Sequence, residues 1–368
     1  MRAIAVLGVL IIHVGAASGV NLHAWYGVAT SQGRLGVRIF FMISAFLLFR
    51  PFVMAQLHDE STPRIRTYAK RRALRILPGY WAALILLALW PGLSGVWTQD
   101  WWVYFGILQA YWFGSLHQGL SVAWSLTIEV AFYLVLPLLA LCLGWLGRGA
   151  NARTRMQRQV FALIFLGLAA EIFRISLFLI ERRALNFTLP SMFLPFAVGM
   201  LFAISSAWLG TDERRWTWTR WVVDRPASCW LAAVGIFVAC CVSPVFARAG
   251  AQNHTVWTWA FEQLAYVVIS ALLLLPAIFG EAAGGWPRRV LANRMLSFVG
   301  AVSYGIFLWH EPILQWMARA GWGRLIPGHP GLTLSILCLM TSIPLGWLSY
   351  RLIEAPAMRL RGEAPKRV

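Results

Sequence analysis

The chain has 368 residues, 59% of them hydrophobic and 12% charged, with a mean hydropathy of +0.65 and a formal net charge of +18. A soluble domain does not need that much apolar surface, so lipid is the solvent expected for most of the chain. The arginines lie in short loops between apolar runs, the placement that membrane orientation demands, which argues against nucleic acid as a partner.

Ten apolar runs are long enough to span a bilayer, near residues 3–22, 36–56, 73–93, 121–146, 159–180, 190–208, 229–247, 258–279, 296–318 and 332–352. The aromatic run Trp101–Phe113 is too short for a span and reads as interfacial or re-entrant. Basic residues fall in alternate loops: Arg64 to Arg75, Arg148 to Arg158, Arg214 to Arg225, Arg288 to Arg294, and the tail with Arg351, Arg359, Arg361, Lys366 and Arg367. The loops between them, such as Gly92–Asp100 and Gly250–Trp257, are nearly free of Lys and Arg. This alternation predicts ten spans with both termini cytoplasmic. Many of the 21 tryptophans stand at run ends, among them Trp25, Trp97, Trp101, Trp102, Trp216, Trp218, Trp257 and Trp322, as an interfacial belt requires. The five cysteines, Cys142, Cys229, Cys240, Cys241 and Cys338, lie inside apolar runs and show neither metal spacing nor a disulfide framework. The first run lacks a small-residue cleavage site, so a cleaved signal peptide is not expected. The fold class expected is an all-α polytopic bundle, with residues 1–355 as one transmembrane domain and 356–368 as a basic tail, and no appended soluble domain.

Four segments place ionisable groups where lipid makes them costly. In the first run, Arg2 and His13 are three helical turns apart on one face, ~16 Å along the axis. A mid-membrane imidazole there is either a hydrogen-bonded strut or a proton acceptor for an attacking hydroxyl. The segment from Tyr68 to Trp81 places Arg72 and Arg75 at i,i+3, as a guanidinium fork for phosphate or as a topology-setting basic loop. Trp124 to Tyr133 carries Glu129, predicted ~12 Å below the outer face, where a carboxylate needs a partner. Ser303 to Pro312 puts Ser303, Tyr304 and His310 on the ninth run, with His310 in its outer half. These depths predict that His13, Glu129 and His310 converge while Arg2, Arg72 and Arg75 gather at the cytoplasmic edge. Glu171 and Arg174, at i,i+3, read as a structural pair, and Arg50 as a snorkelling cation.

Taken in order, Arg-x10-His, Gly-Val-x-x-Phe-Phe-x-x-Ser-x-Phe-Leu, Arg-x-x-Arg, Trp-Ser-Leu-x-x-Glu-x-x-Phe-Tyr and Ser-Tyr-x4-Trp-His resemble the acyltransferase 3 family of bacterial membrane O-acyltransferases. The resemblance covers nearly the whole chain. Departures are Arg38 where an Asp is common, Ala45 where a Gly is common, and Val130 where a second Glu is frequent. The resemblance implies about ten spans in the bacterial inner membrane. It also implies transfer of an acetyl or other short acyl group from cytoplasmic acyl-CoA, acetyl-CoA above all, to a sugar hydroxyl of a polysaccharide, lipopolysaccharide or glycosylated small molecule, without a metal. It makes His13 and Glu129 catalytic, with direct attack and transient acylation of His13 both open. It assigns Arg2, Arg72 and Arg75 to the CoA phosphates, and Glu129, Ser303, Tyr304 and His310 to the acceptor or proton path. Ten spans and buried charges also suit a transporter or exporter of a glycan or lipid-linked sugar, although neither inverted repeats nor paired broken helices are visible.

Overall fold

The computed structural model describes residues 1–23, 27–58, 61–112, 114–210, 216–243, 255–280 and 284–360. Trp25, Phe113, Arg214, Arg215, Arg361, Lys366 and Arg367 lie outside the described residues. Among the described residues every regular element is a helix. The ten apolar runs each coincide with one: α1 Arg2–Ala17, α2 Leu35–Leu57, α3 Ile65–Leu87, α4 Ala123–Leu146, α5 Ala152–Leu179, α6 Phe193–Leu209, α7 Pro226–Val242, α8 Val256–Ile278, α9 Arg294–Arg319 and α10 Pro330–Ser349.

Six of these are long and apolar enough to cross a membrane. The number rises to eight when the helix Thr217–Asp224 is joined to α7 across a 91° bend, and Gly285–Leu291 to α9 across a 54° bend. The other two, α1 and α6, are apolar but only 16 and 17 residues long. Trp101–Phe105 is a five-residue helix followed by turns, so the aromatic run does not cross.

Local chemistry sets several helix starts. Asn151 accepts from the Thr154 amide at 2.9 Å to open α5, Thr255 from Thr258 at 3.2 Å to open α8, and Asn293 from Met295 at 2.8 Å to open α9. The outer faces are apolar: Leu134, Leu138, Leu141 and Trp145 form an exposed stripe at helical spacing on α4, as do Phe161, Phe165, Leu168 and Ile172 on α5. Trp97, Trp101, Trp102, Trp218, Trp257 and Trp322 are exposed at helix ends, as an interfacial belt would have them.

Inside the bundle, α2 packs against α1, α4, α6 and α8, and α1 also lies along α9. These contacts are close because small residues let backbones meet. A methyl added at Gly36 of α2 would lie 2.2 Å from the Ala5 carbonyl oxygen of α1. On the other flank a Cβ at Gly305 of α9 would lie 2.7 Å from the Gly346 Cα of α10. Both obstacles are backbone, so neither can swing away. Gly305→Ala is therefore expected to cost about 1–3 kcal/mol by overpacking, read as a lower thermal midpoint in detergent. An unchanged midpoint would mean that α9 and α10 do not pack this closely.

Candidate active site

The helices enclose two cavities that share three wall residues, Val37 of α2, Ser125 of α4 and Phe307 of α9. On α2 and α4 the neighbouring turns point to opposite sides of that wall. Toward the Arg2 end lie Ser44, Glu129, Ser303 and Tyr304, which line the smaller cavity, about 80 Å³, with Arg2, Arg72 and Arg75. Toward the other end lies a cavity of about 380 Å³ lined by Val9, Ile12 and His13 of α1, by Arg34 and Arg38, and by Trp124, Phe187 and Trp259. We call them the arginine cavity and the histidine cavity.

His13, which lines the histidine cavity, meets His310 behind it, Nδ1 to Nε2 at 2.8 Å, with ring centroids 5.0 Å apart. His310 is buried. Its Nδ1 faces the carbonyl oxygens of Ile306 at 3.0 Å and Phe307 at 2.9 Å. Carbonyl oxygens only accept, so Nδ1 of His310 carries the hydrogen. In the neutral ring Nε2 is then an acceptor and takes the bond from His13 Nδ1–H. The network thereby assigns the tautomer of His13 and leaves its Nε2 lone pair unprotonated. A carbonyl pair on α9 has fixed which nitrogen of a histidine on α1 can act as a base.

Glu129 does not join the two histidines as its depth in the sequence suggested. Ser125 stands at the shared wall, and Glu129 lies one turn further along α4, inside the arginine cavity. There Glu129 Oε1 accepts from Ser44 Oγ and from Tyr133 Oη. Ser303 and Tyr304 are likewise separated from His310 by the wall at Phe307. Ser303 Oγ donates to the Gly300 carbonyl at 2.9 Å and Tyr304 Oη to the Ile76 carbonyl at 2.8 Å.

The three predicted arginines do share one cavity. Arg75 is ion-paired, Nη1 to Glu354 Oε2 at 3.2 Å, while Arg2 and Arg72 have no ion pair among the described residues. The Nε of Arg72 is buried without a hydrogen-bond partner. Three guanidiniums thus face two carboxylates, Glu129 and Glu354, and one of those is bonded to hydroxyls. The surplus is cationic, which suits an anionic group. Arg72 also lines a neighbouring cavity of about 510 Å³, and Arg2 one of about 840 Å³.

The model of the acyltransferase domain of the acyltransferase 3 family matches residues 1–351. The chain belongs to that family. It is similar to the peptidoglycan O-acetyltransferase OatA of Listeria monocytogenes, 23% identical over 400 residues, covering 97% of this chain and 54% of that protein. It is also similar to the O-acetyltransferase OatA of Staphylococcus aureus, 24% identical over 371 residues, covering 97% and 56%. The chain therefore spans about half the length of these relatives. No solved structure matches it.

Several site residues escaped the sequence reading. Glu354 has no assigned role in the sequence reading. Ser44 lay inside a recognised motif with no chemistry assigned to it, and Tyr133 was quoted only as the end of one. Their signal exists only in three dimensions: each supplies a partner to an ionisable group on another turn or another helix. The Arg75–Glu354 contact makes a stability prediction. The Glu354 side chain is fully buried, so Arg75→Ala strands a carboxylate and is expected to cost about 3–5 kcal/mol. The double change Arg75→Leu with Glu354→Leu should recover most of that loss in thermal unfolding. A double variant no more stable than Arg75→Ala would show that the pair is not coupled.

Proposed function

We propose that this chain is an acyltransferase that moves an acetyl or other short acyl group from acyl-CoA to a sugar hydroxyl, with His13, which lines the histidine cavity, as the general base. The observation that carries the reading is the unprotonated Nε2 that the His310 contact leaves on His13. The relatives' names support acetyl as the acyl group and a glycan as the acceptor.

The donor enters from the arginine side. Its phosphates bind Arg2 and Arg72, the two cations without a carboxylate partner, and the nucleotide occupies an adjoining cavity past one of them. The arm brings the thioester to the wall at Val37, Ser125 and Phe307. The acceptor lies in the histidine cavity, where Trp124, Phe187 and Trp259 give apolar faces for sugar rings. His13 Nε2 takes the hydroxyl proton as the oxygen attacks the thioester carbonyl. The carbon–sulfur bond breaks, and the thiolate leaves with the proton held by the imidazolium. His310 keeps the donor hydrogen of His13 on Nδ1 throughout, so the base faces the acceptor. The positive-inside distribution of Arg and Lys supports placing the arginine cavity and both termini in the cytoplasm and the protein in the bacterial inner membrane.

Transport of a glycan, the other reading of ten buried-charge helices, does not require a base with an assigned tautomer beside a cationic cavity. Purified protein is therefore expected to consume acetyl-CoA, which a transporter does not. His13→Ala should lower acyl transfer by about 10²–10⁴-fold. His310→Gln, whose oxygen can still accept from His13, should retain more activity than His310→Leu. Arg72→Ala should raise the KM for acetyl-CoA about 10- to 100-fold, the worth of a charged hydrogen bond. Full transfer by His13→Ala in folded protein would remove the base, and an unchanged KM in Arg72→Ala would remove the phosphate site.

A further inference from the structure

We propose that the acceptor is an anionic glycan, whose carboxylate or phosphate docks on Arg38 in the histidine cavity. The inference rests on the acyltransferase reading for its substrate and on the charges around this cavity for its substance.

Arg38 is only 9% exposed and sits on α2 within the bundle. Its Nε and Nη2 donate to the Gln263 side-chain oxygen at 3.0 and 2.8 Å, and its Nη1 to the Arg34 carbonyl at 3.3 Å. Both acceptors are neutral. The carboxylate that lines the cavity is already engaged: Glu262 accepts from Arg34 at 3.4 Å and from Tyr266 Oη at 2.7 Å. Arg174 is offset by Glu171 at 3.1 Å. Arg34 shares its charge with solvent, its side chain being 42% exposed, whereas the buried Arg38 has no ion-paired carboxylate among the described residues and, beyond its neutral acceptors, meets the face of the Tyr266 ring 5.4 Å from its Cζ.

A buried cation without a counter-charge is unfavourable, and more so inside a membrane domain. Holding Gln263 does not explain the cost, because a neutral amide could donate the same bonds without burying a charge. The charge becomes favourable when an anion fills the cavity. At about 380 Å³ the space falls within the range of small-ligand sites. His13 lines the same cavity. An acidic sugar seated on Arg38 would hold one of its hydroxyls, or one on the adjoining ring, toward the base.

The test measures binding to purified protein in lipid nanodiscs with two matched pairs: trigalacturonate against maltotriose, and glucose 6-phosphate against glucose. Trigalacturonate, the phosphosugar or both should bind at least about tenfold more tightly than the neutral partner, one RT ln 10 step. The pair that discriminates identifies carboxylate or phosphate as the group. Arg38→Gln should abolish that preference, and Arg38→Lys should keep part of it. Should Arg38→Gln fail to fold, methyl-esterified trigalacturonate on the wild-type protein removes the charge from the ligand instead and should bind like maltotriose. Equal affinity within both pairs, a preference that survives Arg38→Gln in folded protein, or an ester that binds like the acid would overturn the proposal. Acetyl-CoA turnover in the same sample keeps the two readings apart. Loss of turnover with discrimination intact defeats the acyltransferase reading alone, and turnover without discrimination defeats the anion site alone.

Discussion

The site depends on a hydrogen bond between two histidines on different helices inside an apolar bundle. The hydrogen-bond partner of an imidazole decides which of its nitrogens can accept a proton. His310 is itself held by two carbonyls of its own helix, and that constraint passes across to His13 as a choice of tautomer. The helix packing serves this bond. Gly36 lets α2 reach the backbone of α1, and Gly305 with Gly346 lets α10 reach the backbone of α9. The two ring-bearing helices, α1 and α9, also pack directly on each other.

The second organising feature is the wall at Val37, Ser125 and Phe307. It divides the buried polar groups of the bundle into two sets with different tasks. Each set holds three arginines, and in each the carboxylates number one fewer than the guanidiniums. A chain that buries this much charge in lipid recovers the cost only if ligands supply the missing anions. Two surpluses on opposite sides of one base fit two substrates that meet at the wall.

The sequence was most informative where membrane physics is one-dimensional. Apolar length located all ten helices, and the spacing of Arg2 from His13 put them at opposite ends of one axis. The arginines converged as the loop charges suggested, and the Glu171–Arg174 pair formed at helical spacing. Depth along a helix does not say which side of a wall a side chain faces, and there the expected convergence of Glu129 with the two histidines did not hold. Ser125 lines both cavities, while Glu129, one turn further along α4, lines the arginine cavity and not the histidine cavity. Arg50 donates from Nε to Ser206 at 3.2 Å. Glu354 carried no signal, since nothing in its neighbourhood marks it as the partner of an arginine 279 positions away.

The central claim is that one donor molecule reaches from the unpaired arginines to the wall beside His13. A structure of the protein in nanodiscs with a non-transferable thioether analogue of acetyl-CoA tests this directly. The account predicts the diphosphate against Arg2 and Arg72 and the acyl end at Val37, Ser125 and Phe307, turned toward His13 Nε2. A diphosphate bound away from both arginines, or an acyl end directed away from His13, would contradict it.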